Sequence, residues 1–224
     1  MSVSSSKLSP VGSRHDARAQ SGSGLMGART QPLPRVLSAP TSARRRFPGW
    51  RWVMVAFALP VAGYVGWEIG GRVDSVANAL VGGALSAAGF GAVQWWAAND
   101  ALGRPTPWIV ASAIGYAVGL AAGAAIVGYD TELGDLALMG LISGAVLGVT
   151  QALVLAPQRR GRLAVRWAAA MPVMFALGWS ASTAIGVDVD AQYTVFGATG
   201  AALFMVLSGL LLARFTDPVS RRSS

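Results

Sequence analysis

Six apolar stretches, each about twenty residues long, follow one another between residues 50 and 213, with short polar segments between them. A helix rises about 1.5 Å per residue, so about 20 residues cross the roughly 30 Å of hydrocarbon in a bilayer. The stretches lack the alternating polar face of helices that cover a soluble core. The pattern predicts an all-α membrane protein with six transmembrane helices, at residues 50–69, 76–97, 107–128, 136–156, 164–186 and 193–213.

The flanking segments have a different composition. Residues 1–48 are rich in Ser, Pro, Gly and Arg, with Asp16 as their single acid. Such a segment buries too little apolar surface to offset the entropy lost on ordering. We therefore expect a disordered basic tail at 1–48, a transmembrane domain at 49–214 and a short basic tail at 215–224. The bias of the first tail also fits an organellar transit peptide, or translated upstream sequence if Met26 is the start.

The amino-acid composition excludes several classes of function. The chain is 53% hydrophobic and 12% charged, whereas soluble domains carry about 25% charged residues. It contains no Cys, which excludes disulfides and Cys-based metal sites, and its one histidine, His15, lies in the polar tail. We find no phosphate-binding loop, zinc-protease motif or pair of carboxylates within a span. We therefore predict no enzyme activity, no cofactor and no bound metal.

The charges predict an orientation. With six spans, every Lys and Arg except Arg72 falls before or at the start of the first span, in or beside the second or fourth loop, or after the sixth span. The positive-inside rule then places both chain ends on the cytoplasmic side, in a bacterial inner membrane or alternatively an organellar membrane. The basic face, including Arg44, Arg45, Arg46 and Arg51, is expected to contact anionic lipid, and we predict no nucleic-acid partner.

Two spacings indicate an internal repeat. Eleven positions separate a Trp from a Gly in each odd-numbered span: Trp52 and Gly63, Trp108 and Gly119, Trp167 and Gly178. A period of 57 relates residues of the even-numbered spans: Gly83, Gly140 and Gly197, and likewise Gln94, Gln151 and Ser208. Both patterns predict three parallel two-helix repeats in a pseudo-threefold bundle, related by an axis along the membrane normal.

Small residues also recur at every fourth position of three spans. Between lipid-embedded helices, close backbone approach supplies the dispersion that holds them together. We therefore predict that one set of glycines faces neighbouring helices: Gly83, Gly91, Gly115, Gly119, Gly123, Gly140, Gly144 and Gly148. A small-residue stripe left exposed after the bundle closes would favour an assembly role.

The pattern Gly-x-x-x-Gly-x-x-Gln ends at Gln151, and a version with Ala in the first place ends at Gln94. Each is followed by a short basic loop and a Trp that opens the next span. Over about residues 50–213 this arrangement resembles a broad group of uncharacterised bacterial multi-pass membrane proteins. The resemblance implies an architecture and carries no established activity.

Two sets of polar residues are candidate sites. Gln94 and Gln151 would converge near the axis and line a small polar site, or alternatively serve as interhelical hydrogen-bonding groups. The acids of the outer loops would attract cations or coordinate Ca²⁺ or Mg²⁺, or would simply form a negative rim. These acids are Asp130, Glu132, Asp135, Asp188 and Asp190.

The tryptophans near span ends are interpreted as interfacial anchors, because an indole prefers the headgroup region. They are Trp50, Trp52, Trp67, Trp95, Trp96, Trp108 and Trp167. Together these features favour a structural or assembly subunit that lies in the lipid bilayer and packs against partner transmembrane helices. The alternative is a small-solute transporter or channel with an acidic outer mouth.

Overall fold

A computed structural model of the chain describes residues 49–98, 101–158 and 160–216, and every regular element in those ranges is a helix. The predicted disordered tail at 1–48 lies outside the described residues, as does the C-terminal tail after Thr216. The helices are α1 (Gly49–Gly70), α2 (Val76–Ala98), α3 (Pro105–Ile126), α4 (Leu133–Leu155), α5 (Gly161–Ala184) and α6 (Ala198–Thr216).

Five of these helices, α1 to α5, are long and apolar enough to cross a membrane, and α6 contains a shorter apolar run, Ala198–Arg214. The described part of the chain is thus all-helical and has the composition of a multi-pass integral membrane protein. The first five predicted spans agree with the observed helices to within three residues at either end.

The sixth predicted span began too early. Residues 193–197 are not helical, and α6 begins only at Ala198. The physical reason lies in Thr194, whose backbone carbonyl accepts a hydrogen bond from Tyr116 and whose hydroxyl donates to the carbonyl of Gly63. The backbone carbonyl of Thr194 thus bonds to α3 in place of the N–H four residues later, and the hydroxyl fixes the segment to α1.

Prolines accompany 3₁₀ turns in α1 and at the end of α4. Pro60 lies inside α1 and has no N–H, and its ring would collide with the carbonyl four residues earlier. A 3₁₀ turn, Val55–Phe57, occupies that place in α1. At the end of α4, Pro157 lies within a second 3₁₀ turn, Ala156–Gln158, where the α-helical hydrogen bonding stops.

The six helices form a closed ring. Among the described elements, each helix packs chiefly against its neighbours in chain order, and α6 returns to contact α1. The contact between α6 and α1 involves mainly residues 49–57, so this seam is closed at one end of α1 and sparse at the other.

Aromatic side chains fill the middle of the ring. Tyr116 of α3 contacts Phe175 of α5, with ring centroids 5.6 Å apart, although α3 and α5 are not neighbours in the ring. Phe175 also contacts Phe204 of α6 and Phe196 of the preceding connection, at 5.2 and 5.4 Å. Because these contacts cross the interior, the axis at this level is occupied by packed side chains.

Candidate functional site

The two ends of the ring differ in charge. The end where α1, α3 and α5 begin carries Arg104 and Arg162, and we call it the basic end. The opposite end carries Asp130, Asp188 and Asp190, and we call it the acidic end.

Residues 187–197, which join α5 to α6, form a cap segment at the acidic end. Its deepest residue, Thr194, is fully buried. The Thr194 hydroxyl lies 2.7 Å from the hydroxyl of Ser86 on α2 and donates to the carbonyl of Gly63 on α1. Its backbone carbonyl accepts a 2.6 Å hydrogen bond from the Tyr116 hydroxyl of α3. One residue therefore joins three helices.

The cap segment reaches well below the ends of the helices. Gly63 is seven residues from the end of α1, and Ser86 is ten residues from the start of α2. At 1.5 Å per residue, Thr194 lies about 10–15 Å inside the acidic end. Non-helical backbone is tolerated at such depth only where protein surrounds it or it lines a cavity. Here Thr194 is buried among helices, and Phe196 packs edge-on against Trp179 and also borders a cleft at the side of the ring.

Hydrogen bonds tie the cap segment to the neighbouring loops. Thr131 donates to the Asp190 carboxylate at 2.8 Å, and Gln192 donates to the carbonyl of Tyr129 at 3.0 Å. Arg72 donates to the backbone carbonyl of Asp190 at 2.7 Å. These bonds join the connections that follow α1, α3 and α5 to one another at the acidic end.

The predicted outer acids lie in the connections of the acidic end and in the first turn of α4, within the part of the chain that the structure describes. No three acidic or histidine side chains there lie close enough to hold an ion. Four of the five are exposed, and Asp135 is half-buried in the first turn of α4.

Three of the predicted anchor tryptophans lie in the interior instead. Trp52, Trp108 and Trp167 are fully buried, and the rings of Trp108 and Trp167 meet at 5.9 Å across the bundle. Trp50 and Trp96 are exposed, as an interfacial anchor would be. Hydropathy does not separate the two groups, but the shared Trp-to-Gly spacing of eleven marks the three buried ones.

The two candidate glutamines differ in their surroundings. Gln151 on α4 is fully buried, donates to the Ser112 hydroxyl at 2.8 Å and accepts from the Trp167 indole at 2.8 Å. Gln94 on α2 is also buried, but neither amide atom has a hydrogen-bond partner among the described residues. The two glutamines share no hydrogen bond in those residues, and both lie in the basic half of the ring.

The predicted packing glycines lie at the contacts between adjacent helices of the ring. A methyl group added to Gly119 of α3 would be 2.8 Å from the backbone of Ser143 on α4. One added to Gly144 of α4 would be 2.6 Å from the Met171 carbonyl of α5. The remaining members make similar approaches to the next helix: Gly83, Gly91, Gly115, Gly123, Gly140 and Gly148. The stripes thus lie between helices of this chain and are not left exposed.

A lateral cleft opens where α6 leaves α1 uncovered. Its volume is about 400 Å³, and its walls include Pro60, Val61 and Tyr64 of α1 with Tyr193 and Phe196 of the cap segment. The cleft is mostly apolar and lies at the side of the ring, toward the acidic end.

Sequence reasoning missed the cap segment and Thr194. The only sequence signal is a run of non-helical preference, Tyr-Thr-Val-Phe-Gly, within an otherwise apolar stretch. The chain matches no protein-family model, no curated protein and no solved structure. A proposal for its function therefore depends on the geometry described above.

Proposed function

We propose that this chain is a structural or assembly subunit of a membrane, which packs against partner transmembrane helices and catalyses no reaction. In this proposal all six helices cross the bilayer and both chain ends lie on the cytoplasmic side, with anionic lipid at the basic end. The membrane is the inner membrane of a bacterium, or alternatively that of an organelle. The resemblance to multi-pass proteins with Gly-x-x-x-Gly-x-x-Gln hairpins belongs to the same proposal.

The proposal depends on one contrast. Side chains fill the axis of the six-helix ring, whereas a cleft is open at its side. Packed aromatic side chains occupy the axis of the six-helix ring, where a transported solute would have to pass. The lateral cleft, in contrast, presents apolar walls between α1 and the cap segment. Because the small-residue stripes are used within the bundle, the partner contact is assigned to this cleft.

The threefold repeat is supported by matching hydrogen bonds. The Trp167 indole donates to Gln151 of the preceding helix, and the Trp52 indole donates to Ser208 of α6 at 3.0 Å. In each case a Trp near the start of an odd-numbered helix meets the polar residue related by the period of 57. The contact between α6 and α1 is what a ring of three hairpins requires.

Photo-crosslinking tests the assembly role. A benzophenone side chain at Val61, which is 63% exposed in the cleft, should give a discrete protein adduct in native membranes. The same group at Ile114, 57% exposed on α3, is the matched control and should react with lipid alone. An assembly role at the cleft is wrong if Val61 also yields only lipid adducts.

A second function, a gated conduit for small solutes, is favoured by one observation. An irregular segment occupies the acidic mouth of the ring, and Thr194 anchors it through a few hydrogen bonds. If the segment is a gate, Thr194→Val should increase solute leakage from proteoliposomes, whereas Thr183→Val should not. Thr183 is a suitable control because its hydroxyl bonds only to its own helix, at the Trp179 carbonyl. Equal tightness of both variants would argue against the conduit.

A further inference from the structure

Near the basic end, two tryptophans donate a hydrogen bond to a polar residue of the preceding helix in the ring. Trp167 pairs with Gln151, and Trp52 pairs with Ser208, each through a direct hydrogen bond from the indole N–H. The third such position is Trp108, which lies on the helix that follows Gln94.

This third pair is buried but unbonded. Gln94 is 1% exposed and Trp108 is fully buried. The Gln94 Nε2 and Oε1 atoms and the Trp108 Nε1 atom are three of four buried side-chain polar atoms without a hydrogen-bond partner among the described residues.

The two side chains lie where α2 and α3 are close together. One turn before Gln94, a methyl group added to Gly91 would lie 3.0 Å from the side chain of Ser112. Ser112 itself lies one turn after Trp108 on α3 and donates to its carbonyl. Gln94 and Trp108 therefore belong to one helix contact.

A single difference between the repeats explains why the Gln94 Nε2 atom lacks a protein acceptor. Gln151 donates to Ser112, which is four residues after Trp108. The residue four after Trp52 is Ala56, which is buried and has no hydroxyl to accept from Gln94. A buried amide with no partner costs free energy, and polar groups in that situation commonly hold an internal water molecule.

We infer that Gln94 and Trp108 bind a buried water molecule, which accepts from the Trp108 indole N–H and donates to the Gln94 carbonyl oxygen. The bridge is the water-mediated counterpart of the direct bond between Trp167 and Gln151. A water suits the site because the two side chains offer both donors and an acceptor and carry no charge that would stabilise an ion away from solvent. This inference goes beyond the proposed function and does not depend on it.

Nuclear magnetic resonance of the full chain, with ¹⁵N-labelled tryptophan in detergent micelles or nanodiscs, tests the site. The Trp108 indole proton should show a cross-peak to water, and the Trp167 indole proton, which has a protein acceptor, should show none. Trp108→Phe identifies the signal by its loss. The inference is overturned if Trp108 gives no water cross-peak, or if Trp167 gives an equal one because water penetrates the whole bundle.

A pair of variants tests whether Gln94 holds the water. Gln94→Leu removes the acceptor, so the Trp108 cross-peak should be lost. Gln151→Leu alters the equivalent position of the next hairpin and should leave the Trp108 cross-peak unchanged. An undiminished Trp108 cross-peak in Gln94→Leu would exclude the bridge. If either variant fails to fold, the comparison of Trp108 with Trp167 in the unmodified chain still decides the matter.

Discussion

At the scale of single residues, the buried polar side chains distinguish this bundle from a purely apolar one. Ser112 and Ser143 each donate to the carbonyl of the preceding turn of their own helix. Such bonds satisfy a hydroxyl without specifying a neighbour. Gln151 and Thr194 instead bond to other helices, so their contribution to the tertiary structure should be larger.

Replacing Gln151 tests this difference. Gln151→Leu leaves the buried Trp167 indole without its acceptor and should lower stability by about 1–2 kcal/mol. Gln94→Leu breaks no hydrogen bond to protein among the described residues, so its cost should be smaller. Thermal unfolding in detergent, followed by circular dichroism, measures both. Equal losses would mean that the Trp167 bond contributes nothing specific.

Thr194 provides a second residue-level prediction. Thr194→Val keeps the shape of the side chain and the backbone bond to Tyr116 but removes the hydroxyl bonds to Gly63 and Ser86. We expect a loss of about 1–2 kcal/mol, together with faster hydrogen exchange of residues 187–197. Thr183→Val, which breaks only a bond within its own helix, should leave exchange in the cap segment unchanged.

At the scale of helices, glycine decides how closely neighbours approach. α4 illustrates this because it lies between α3 and α5 and has small residues at both contacts. Gly144 packs against the backbone of Met171, and Gly148 packs against its side chain. Both contacts are so close that they leave no room for a Cβ atom. Close approach of this kind replaces the hydrophobic driving force that is lacking between helices in lipid.

Two alanine substitutions on α4 form a matched pair. Gly144→Ala would place a methyl group 2.6 Å from the Met171 carbonyl, so α4 and α5 must separate. We expect a loss of about 1–3 kcal/mol, as for other overpacked sites. Gly134 has nothing within 4 Å of its added methyl group, so Gly134→Ala should be neutral or stabilise the helix by up to about 1 kcal/mol. A destabilised Gly134→Ala would contradict this account.

At the scale of the molecule, the ring is closed unevenly. Trp52 joins α1 to α6 at the basic end, whereas the cap segment takes the place of a helical contact at the acidic end. The sixth helix can therefore be shorter than the others, because residues 187–197 occupy the depth that α6 does not reach.

Membrane topology tests the count of spans. The chain contains no Cys, so a single introduced Cys reports its own side without background. With six spans, Arg162→Cys and Ser224→Cys should react with an impermeant maleimide only after the membrane is opened, and Asp188→Cys should react in intact cells. If Ser224→Cys is labelled together with Asp188→Cys, α6 does not cross. If Arg162→Cys and Asp188→Cys share a side, the hairpin scheme is wrong.

Local sequence was sufficient for most of the helices. The length of each apolar run predicted α1 to α5, because a helix in lipid must satisfy its own backbone and needs a defined length to cross. The small-residue positions also followed from local spacing, since residues four apart lie on one face. Gln94 and Gln151 are both buried, but local sequence could not predict which of them finds hydrogen-bond partners on other helices.

Apolar composition alone determined that the chain is helical and suited to a membrane, since both properties depend on residues near one another in sequence. Tertiary structure decided that Trp52, Trp108 and Trp167 face the interior, because hydropathy is the same for a side chain facing lipid or protein. The tertiary structure also decided which groups Thr194 bonds to. Its partners at Gly63, Ser86 and Tyr116 are 131, 108 and 78 positions away, and only the closed ring brings them to one point.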